Sequence, residues 1–201
     1  PAGREMRRLY AYLLKKRLID REVLSTFVRA GLVYEDEKYH NAVFIGKDEH
    51  GVVRHAHKRS TNDIGKAFRI NVEGSDPRYS FHWNGTSDRL YVFEAPIDLL
   101  SFLTLYPKNW QRHSYVALCG VGEQAMLRML EQAPNLRRPI LCLDHDPAGI
   151  EANGRLTEIL AGKGYRETAV LQSVCKDWNE DVKARCGLEA QPAEEHPQLL
   201  A

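Results

Sequence analysis

The chain has 201 residues, 28 Lys and Arg against 27 Asp and Glu, and 43% apolar side chains. That length suits one or two domains with a core of their own, and the composition excludes collagen, low complexity and wholesale disorder. No apolar run approaches the roughly 18–20 residues that span a bilayer.

The first 16 residues are basic and amphipathic, with no small-residue cleavage site, so no secretory signal is expected. Pro1 as the first residue points to a piece of a longer chain. Residues 1–90 carry 17 basic and 12 acidic side chains, and residues 91–201 carry 11 and 15. The surplus in the first half is consistent with an anionic partner there, or with chance. The four cysteines form no CxxC pair, and Cys119 and Cys142 sit in apolar runs. Buried free thiols in a reducing cytoplasm are expected rather than a zinc site.

Residues 4–16 place Met6, Leu9, Tyr10 and Leu13 at helical spacing. Asp20 caps a second helix that Gly31 stops. The period then changes. Ala42–Ile45 and Val52–His57, around a turn at 47–51, read as a hairpin, with two more short strands at 66–72 and 79–83. From residue 90 the order is regular: strands at 90–94, 114–119, 139–144 and 168–172 alternate with helices from Pro96, Gly122, Pro147 and about Trp178. That alternation predicts βαβ units and a parallel sheet. The stretch from Gly187 lacks periodicity and is expected to be a flexible tail.

Ligands of a parallel sheet bind off the carboxyl ends of its strands, and there the sequence puts acids. Glu94 ends one strand, with Asp98 a helical turn on. Asp144 ends another, with Asp146 two residues later. A third strand leads into Lys176 and Asp177. Each acid alone has a structural account: Asp146 before Pro147 is a good N-cap, and Asp98 complements a helix dipole. As a set they would repel one another and raise each other's pKa values. A hard divalent cation, Mg²⁺ or Mn²⁺, is the natural compensation, and it points to phosphoryl-transfer chemistry. A rival reading takes Gly120, Gly122 and Ala125 as the dinucleotide motif G-x-G-x-x-A, which leaves Glu94, Asp98, Asp146 and Asp177 unexplained.

E-x-x-x-D in YVFEAPIDLLSF, the glycine turn in ALCGVGEQAM and D-x-D in LCLDHDPAGIEA together resemble the TOPRIM domain of bacterial primases, topoisomerases and some nucleases. The preceding segment, HNAVFIGKDEHGVVRHAHKRS and KAFRINVEGSDPRYSFHWNG, is similar in order and spacing to the one before TOPRIM in DnaG-type primases, with Arg59 and Gly74-Ser75-Asp76 at matching places. Primase-like proteins of plasmids, phages and conjugative elements are the nearest resemblance, over residues 5–185. It implies a small basic α+β N-terminal subdomain (1–86), a TOPRIM domain (87–186) with a Rossmann-like parallel sheet and helices on both faces, and the tail (187–201).

The resemblance also implies roles. Glu94 would be general acid/base or metal ligand, Asp144 and Asp146 would hold Mg²⁺, and Asp98 and Asp177 would support it. The second acid of the family's late motif falls on Asn179, a departure that puts a further metal position in doubt, and Asp181 has the wrong spacing to replace it. The implied activity is primer synthesis on single-stranded DNA from nucleoside triphosphates in the cytoplasm, with a helicase or other replication proteins as partners and no membrane.

On the strand 54–59, alternation puts His57 and Arg59 on one face and Lys58 on the other. Arg59, Lys58, His57 and Lys176 are the candidate nucleotide and DNA contacts, against the plain alternative of a charged strand edge. A TOPRIM nuclease would share the same acids, and a non-catalytic DNA-binding module of a mobile-element protein remains open.

Overall fold

The computed structural model describes residues 2, 3, 5–62 and 67–194. Pro1, Lys66 at the start of an expected strand, and the end of the expected tail lie outside the described residues. The lead is α1 (Arg7–Tyr10), which widens into a π-helical turn over Ala11–Lys16. Helix α2 (Arg21–Arg29) starts as expected: the Asp20 carboxylate accepts from the Glu22 and Val23 N–H groups, satisfying donors the helix cannot. Gly31, at φ +64°, turns the chain out of it.

An antiparallel sheet follows, in the order β1 (Val33–Glu35), β2 (Ala42–Lys47), β3 (Val53–Arg59), β4 (Arg69–Asn71). β1 has no signal in the sequence, because three residues are too few to show a period. It is fixed by Glu35, whose buried carboxylate accepts from the Leu9 N–H (2.9 Å) and contacts His40 Nδ1 (2.5 Å). β3 lies between β2 and β4, so it is not an exposed edge.

The second sheet has the order β5 (His82–Trp83), β7 (Ser114–Ala117), β6 (Arg89–Phe93), β8 (Arg138–Leu141), β9 (Ala169–Val170). β6 to β9 are parallel, and β5 is an antiparallel edge. Helices α3 (Pro96–Leu105), α4 (Gln124–Gln132), α5 (Pro147–Gly162) and α6 (Trp178–Arg185) connect or follow the strands. Alternation along β6 sorts the faces. Leu90 and Val92 pack with α4 and α5, whereas Tyr91 and Phe93 pack with α3 and α6. The fold is therefore α/β, with helices on both faces of a parallel sheet behind a small α+β subdomain.

The core beneath α3 and α6 runs without a break into the first subdomain, from Leu9, Phe27 and Phe44 through Phe81 to Trp178. Trp83 belongs to it, with its ring centroid 5.4 Å from Phe27 and 5.0 Å from Trp110. One continuous core thus fixes the antiparallel sheet against the parallel one, and that fixes the cleft between them. The stretch after Gly187 departs from the expected tail: Lys176 N–H donates to Gln191 O (3.0 Å) and Glu194 N–H to His145 O (3.0 Å). Main-chain hydrogen bonds tie it down as far as Glu194, without any periodic pattern that a sequence could display.

Candidate active site

The parallel strands stop early, and the residues after them carry the chemistry. β6 ends at Phe93, leaving Glu94 at the sheet edge and Asp98 in the first turn of α3. Beyond β8, Asp144 follows two buried residues, and Asp146 caps α5 by accepting from Gly149 N–H (2.9 Å). Asp177 caps α6 in the same way, accepting from Glu180 N–H (2.8 Å). The capping account is therefore correct for Asp146, Asp177 caps as well without having been read so, and both still face the other acids: each raises the pKa of Glu94 and Asp144. The N-termini of α3, α5 and α6 gather at this edge, and their dipoles offset part of the repulsion. Gly149 makes this packing possible. A Cβ there would sit 2.1 Å from the Asp144 carbonyl oxygen.

The electrostatics match a set of acids held together without enough counter-charge. Burial first, then Glu94, Asp177 and Asp146, push the Asp144 carboxyl up to about 8. Burial, then Asp144 and Asp177, hold Asp98 well above the usual carboxylate range. Glu94 is raised chiefly by burial, against the pull of Arg69, whose Nη2 lies 3.8 Å from Glu94 Oε1. Burial also raises Asp177. Asp144 Oδ1 is buried without a hydrogen-bond partner among the described residues.

An all-oxygen donor set with an orphaned buried oxygen fits a hard divalent cation. Among the described residues, no three His, Cys, Asp or Glu side chains are gathered tightly enough to hold a metal ion as they stand. The acids therefore form a charged rim rather than a closed coordination shell.

Opposite the acids lies a cleft of about 160 Å³, lined by His57, Arg69, Asn71, Glu94, Cys119 and Gly120 among others. His57 Nδ1 contacts Asn71 Oδ1 (2.8 Å), and Asn71 Nδ2 donates to Cys119 O (3.3 Å), so β4 is tied to the turn after β7. That turn passes through left-handed backbone, with Cys119 at φ +55° and Gly120 at φ +148°, which is why the strand is shorter than its apolar run. The glycine motif is part of a turn whose far side Arg155 closes by pairing with Glu123 (3.0 Å) and donating to Val121 O.

Arg59 and His57 share the cleft face. Arg59 Nε donates to the Tyr12 hydroxyl (2.9 Å) and its charge reaches Asp98. Lys58 stands on the other face, as the alternation predicts, away from the cleft, and its Nζ lies 3.3 Å from Asp36 Oδ2. Lys176 stands beside the acids but is engaged by Glu194 Oε1 at 3.2 Å. Asn179 is buried and fully occupied. Its amide donates to Arg17 O (2.7 Å) and Ser101 Oγ (3.0 Å), and its Oδ1 accepts from Arg17 Nη1 (3.2 Å). Asp181 stands apart from this cluster, accepting from Val174 and Cys175 N–H. Sequence reading missed Arg69 and Tyr12, and saw Arg17 only as part of a basic helical face that could track phosphates or be plain solvated surface. Arg69 carried a signal, since pairing the expected strand 66–72 against the hairpin sets it opposite Arg59.

Residues 91–182 match the Toprim-like family model, and residues 11–87 match a family described as a protein of unknown function (DUF3991). The chain is 28% identical to an uncharacterized protein of Bacillus anthracis, an alignment covering 86% of this chain and 56% of that protein. It spans about half the length of the curated relatives it matches. Among solved structures it is similar to the primase fragment of the bacteriophage T7 primase-helicase protein (TM-score 0.65, 20% identity, covering 87% of this chain and 69% of that one). It is also similar to the DnaG primase catalytic domain bound to single-stranded DNA (TM-score 0.59, 17% identity, 94% and 74%).

Proposed function

We propose that this protein, a Toprim-like domain behind an N-terminal subdomain in the fold of the primase catalytic cores, carries out divalent-cation-dependent nucleotidyl transfer on nucleic acid, and that the reaction is primer synthesis on single-stranded DNA. One observation carries the reading. Five carboxylates stand at one sheet edge, four of them, Glu94, Asp98, Asp144 and Asp177, with raised pKa values, and a basic wall from a different sheet faces them across a cleft.

Glu94, Asp98, Asp144, Asp146 and Asp177 would hold Mg²⁺ or Mn²⁺. Such a cation, when bound, neutralises phosphate charge and favours ionisation of a hydroxyl. The remaining roles fall to the chain. Arg69 and Arg59 offer planar forks to phosphate oxygens, and His57 and Asn71 hold β4 against the cleft. Glu94, with its pKa raised and its carboxylate at the cleft wall, can take a proton from an attacking 3′-hydroxyl and release it to water. The buried walls on either side limit water at that point, so charge interactions there are strong. A nucleoside triphosphate and a single-stranded template are the expected ligands. A helicase partner is proposed on the same footing.

The test uses single-stranded DNA, nucleotides and Mg²⁺ or Mn²⁺, with labelled products run on a denaturing gel. Wild type is compared with Asp144→Ala/Asp146→Ala. Products longer than the starting nucleotides, absent in the double variant, are expected. Shortened DNA would instead assign the site to a nuclease. DNA binding without either product would leave a binding module.

A further inference from the structure

The helical lead and the antiparallel sheet each bring one arginine to the rim of the acids, and one oxygen holds both. The Tyr12 hydroxyl, on a side chain only 6% exposed, accepts from Arg17 Nε at 3.0 Å and from Arg59 Nε at 2.9 Å. The two Nε atoms therefore lie within about 6 Å of each other. A phenolic oxygen has two lone pairs, and here both are used. Arg17 commits a further N–H to Asn179 Oδ1 and lies over the Tyr12 ring, 5.4 Å from its centroid.

Among the described residues neither guanidinium has a carboxylate within ion-pair distance. Arg17 Nη2 and both Nη atoms of Arg59 have no acceptor there. Both residues are half-buried. Two like charges, partly desolvated and drawn together on a neutral oxygen, repel each other, and the nearby acids offset that only at a distance, without a paired carboxylate. The unused N–H groups, all on Nη atoms, are ones that donate to tetrahedral oxyanions end-on.

Asn179 completes the argument. It engages Arg17 through a neutral amide, so the charge stays uncancelled. A carboxylate at that position would pair with Arg17 and remove half of the positive charge. The acid side is near: the charge of Arg59 acts on Asp98 and that of Arg17 on Asp177. An anion held by the pair would lie at the edge of the proposed active site.

We propose that Arg17 and Arg59, clamped by the Tyr12 hydroxyl, form a site for an oligophosphate, the charge-dense tail of a nucleotide, and that this site binds without a divalent cation. The anion site stands on the geometry. Its identification with a nucleotide's phosphates rests on the nucleotidyl-transfer reading.

The experiment is isothermal titration of the whole 201-residue chain with sodium tripolyphosphate in EDTA at low salt. Binding is expected in wild type. Tyr12→Phe, which keeps the ring and removes the shared acceptor, is expected to weaken it about tenfold. Asn179→Asp, nearly isosteric, is expected to weaken it to a similar extent. Arg17→Gln is expected to abolish it. Thermal melts establish that each variant is folded, and if Arg17→Gln is not, the other two still decide.

No binding in EDTA, or equal affinity in wild type, Tyr12→Phe and Asn179→Asp, overturns the proposal. A second arm adds an unphosphorylated-end single-stranded oligonucleotide. If it displaces tripolyphosphate fully, strand phosphates are the ligand and the oligophosphate assignment falls. If both bind together, the assignment stands. Primer synthesis can fail while this site binds, and this site can fail while primers are made, so the two readings are separable.

Discussion

Replacing Asp144 by Asn should make the cation-free protein more stable. The folded carboxyl titrates at about 8 against a reference of 3.8, so the native state holds a proton that the unfolded chain gives up. A group raised in this way contributes stability that is complete below pH 3.8 and is lost as pH rises toward 8. At pH 7 the loss spans about 3 pH units, or about 4 kcal/mol for an isolated site. Glu94, Asp146 and Asp177 share the repulsion, so removing one charge is expected to return about half, roughly 2 kcal/mol. For a chain of this size that is a rise in Tm of roughly 4–8 °C. Scanning fluorimetry in EDTA reads it directly, and the advantage should shrink between pH 7 and pH 5. Millimolar Mg²⁺ should raise the wild-type Tm and move Asp144→Asn much less. A variant that melts at or below wild type in EDTA at pH 7, or an advantage that does not fall toward pH 5, refutes the account of the acids as a strained charge cluster.

Gly149→Ala places a Cβ against the Asp144 carbonyl oxygen and should cost about 2–4 kcal/mol, because that neighbour is backbone and cannot swing away; urea titration measures it. His55 is buried with Nδ1 unpartnered and its pKa lowered to about 4 by burial and by His57. Its neutral form is favoured in the fold, so its contribution is complete above pH 6.5 and falls away toward pH 4, by up to about 3 kcal/mol. Urea titrations at pH 7.5 and pH 5 should therefore show a smaller loss on acidification in His55→Leu than in wild type. Lys58→Ala should leave single-stranded DNA and nucleotide affinity within a factor of two, whereas Arg59→Ala should lower it about tenfold or more, as fluorescence anisotropy would report.

The sequence made the parallel sheet legible because its strands are apolar, evenly spaced and punctuated by Pro and Gly. The acids were legible for the same reason: each sits where a readable strand ends. The cationic side was legible only in part, at Arg59 and His57. Arg17 lies 16 residues before the nearest strand, and Tyr12 looks like one more apolar position on a helix. Their meeting with Arg59 depends on the lead packing under α3 and α6, a contact 47 residues long in sequence for Tyr12 and Arg59 and 162 for Arg17 and Asn179. Lys58 is the reverse case. The strand's alternation set it on the far face in the sequence, and only the structure shows its partner there, Asp36.

This division explains why the site needs both units. The acids all come from the ends of parallel strands and the helices behind them, and alone they are a repulsive rim. The uncancelled guanidiniums come from the lead and the antiparallel sheet, and alone they are an equally strained pair. Asp98 and Arg59 influence each other without pairing, and Arg69 reaches Glu94 at 3.8 Å, so the two sets neutralise each other only in part in the absence of ligand. A bound phosphate with its cation would satisfy both at once: the cation quiets the carboxylates and the phosphate oxygens quiet the arginines. Ligand affinity would then draw on strain already present in the fold, and a mutation that relieves the strain on the acid side, Asp144→Asn, should stabilise the protein while weakening its grip on phosphate.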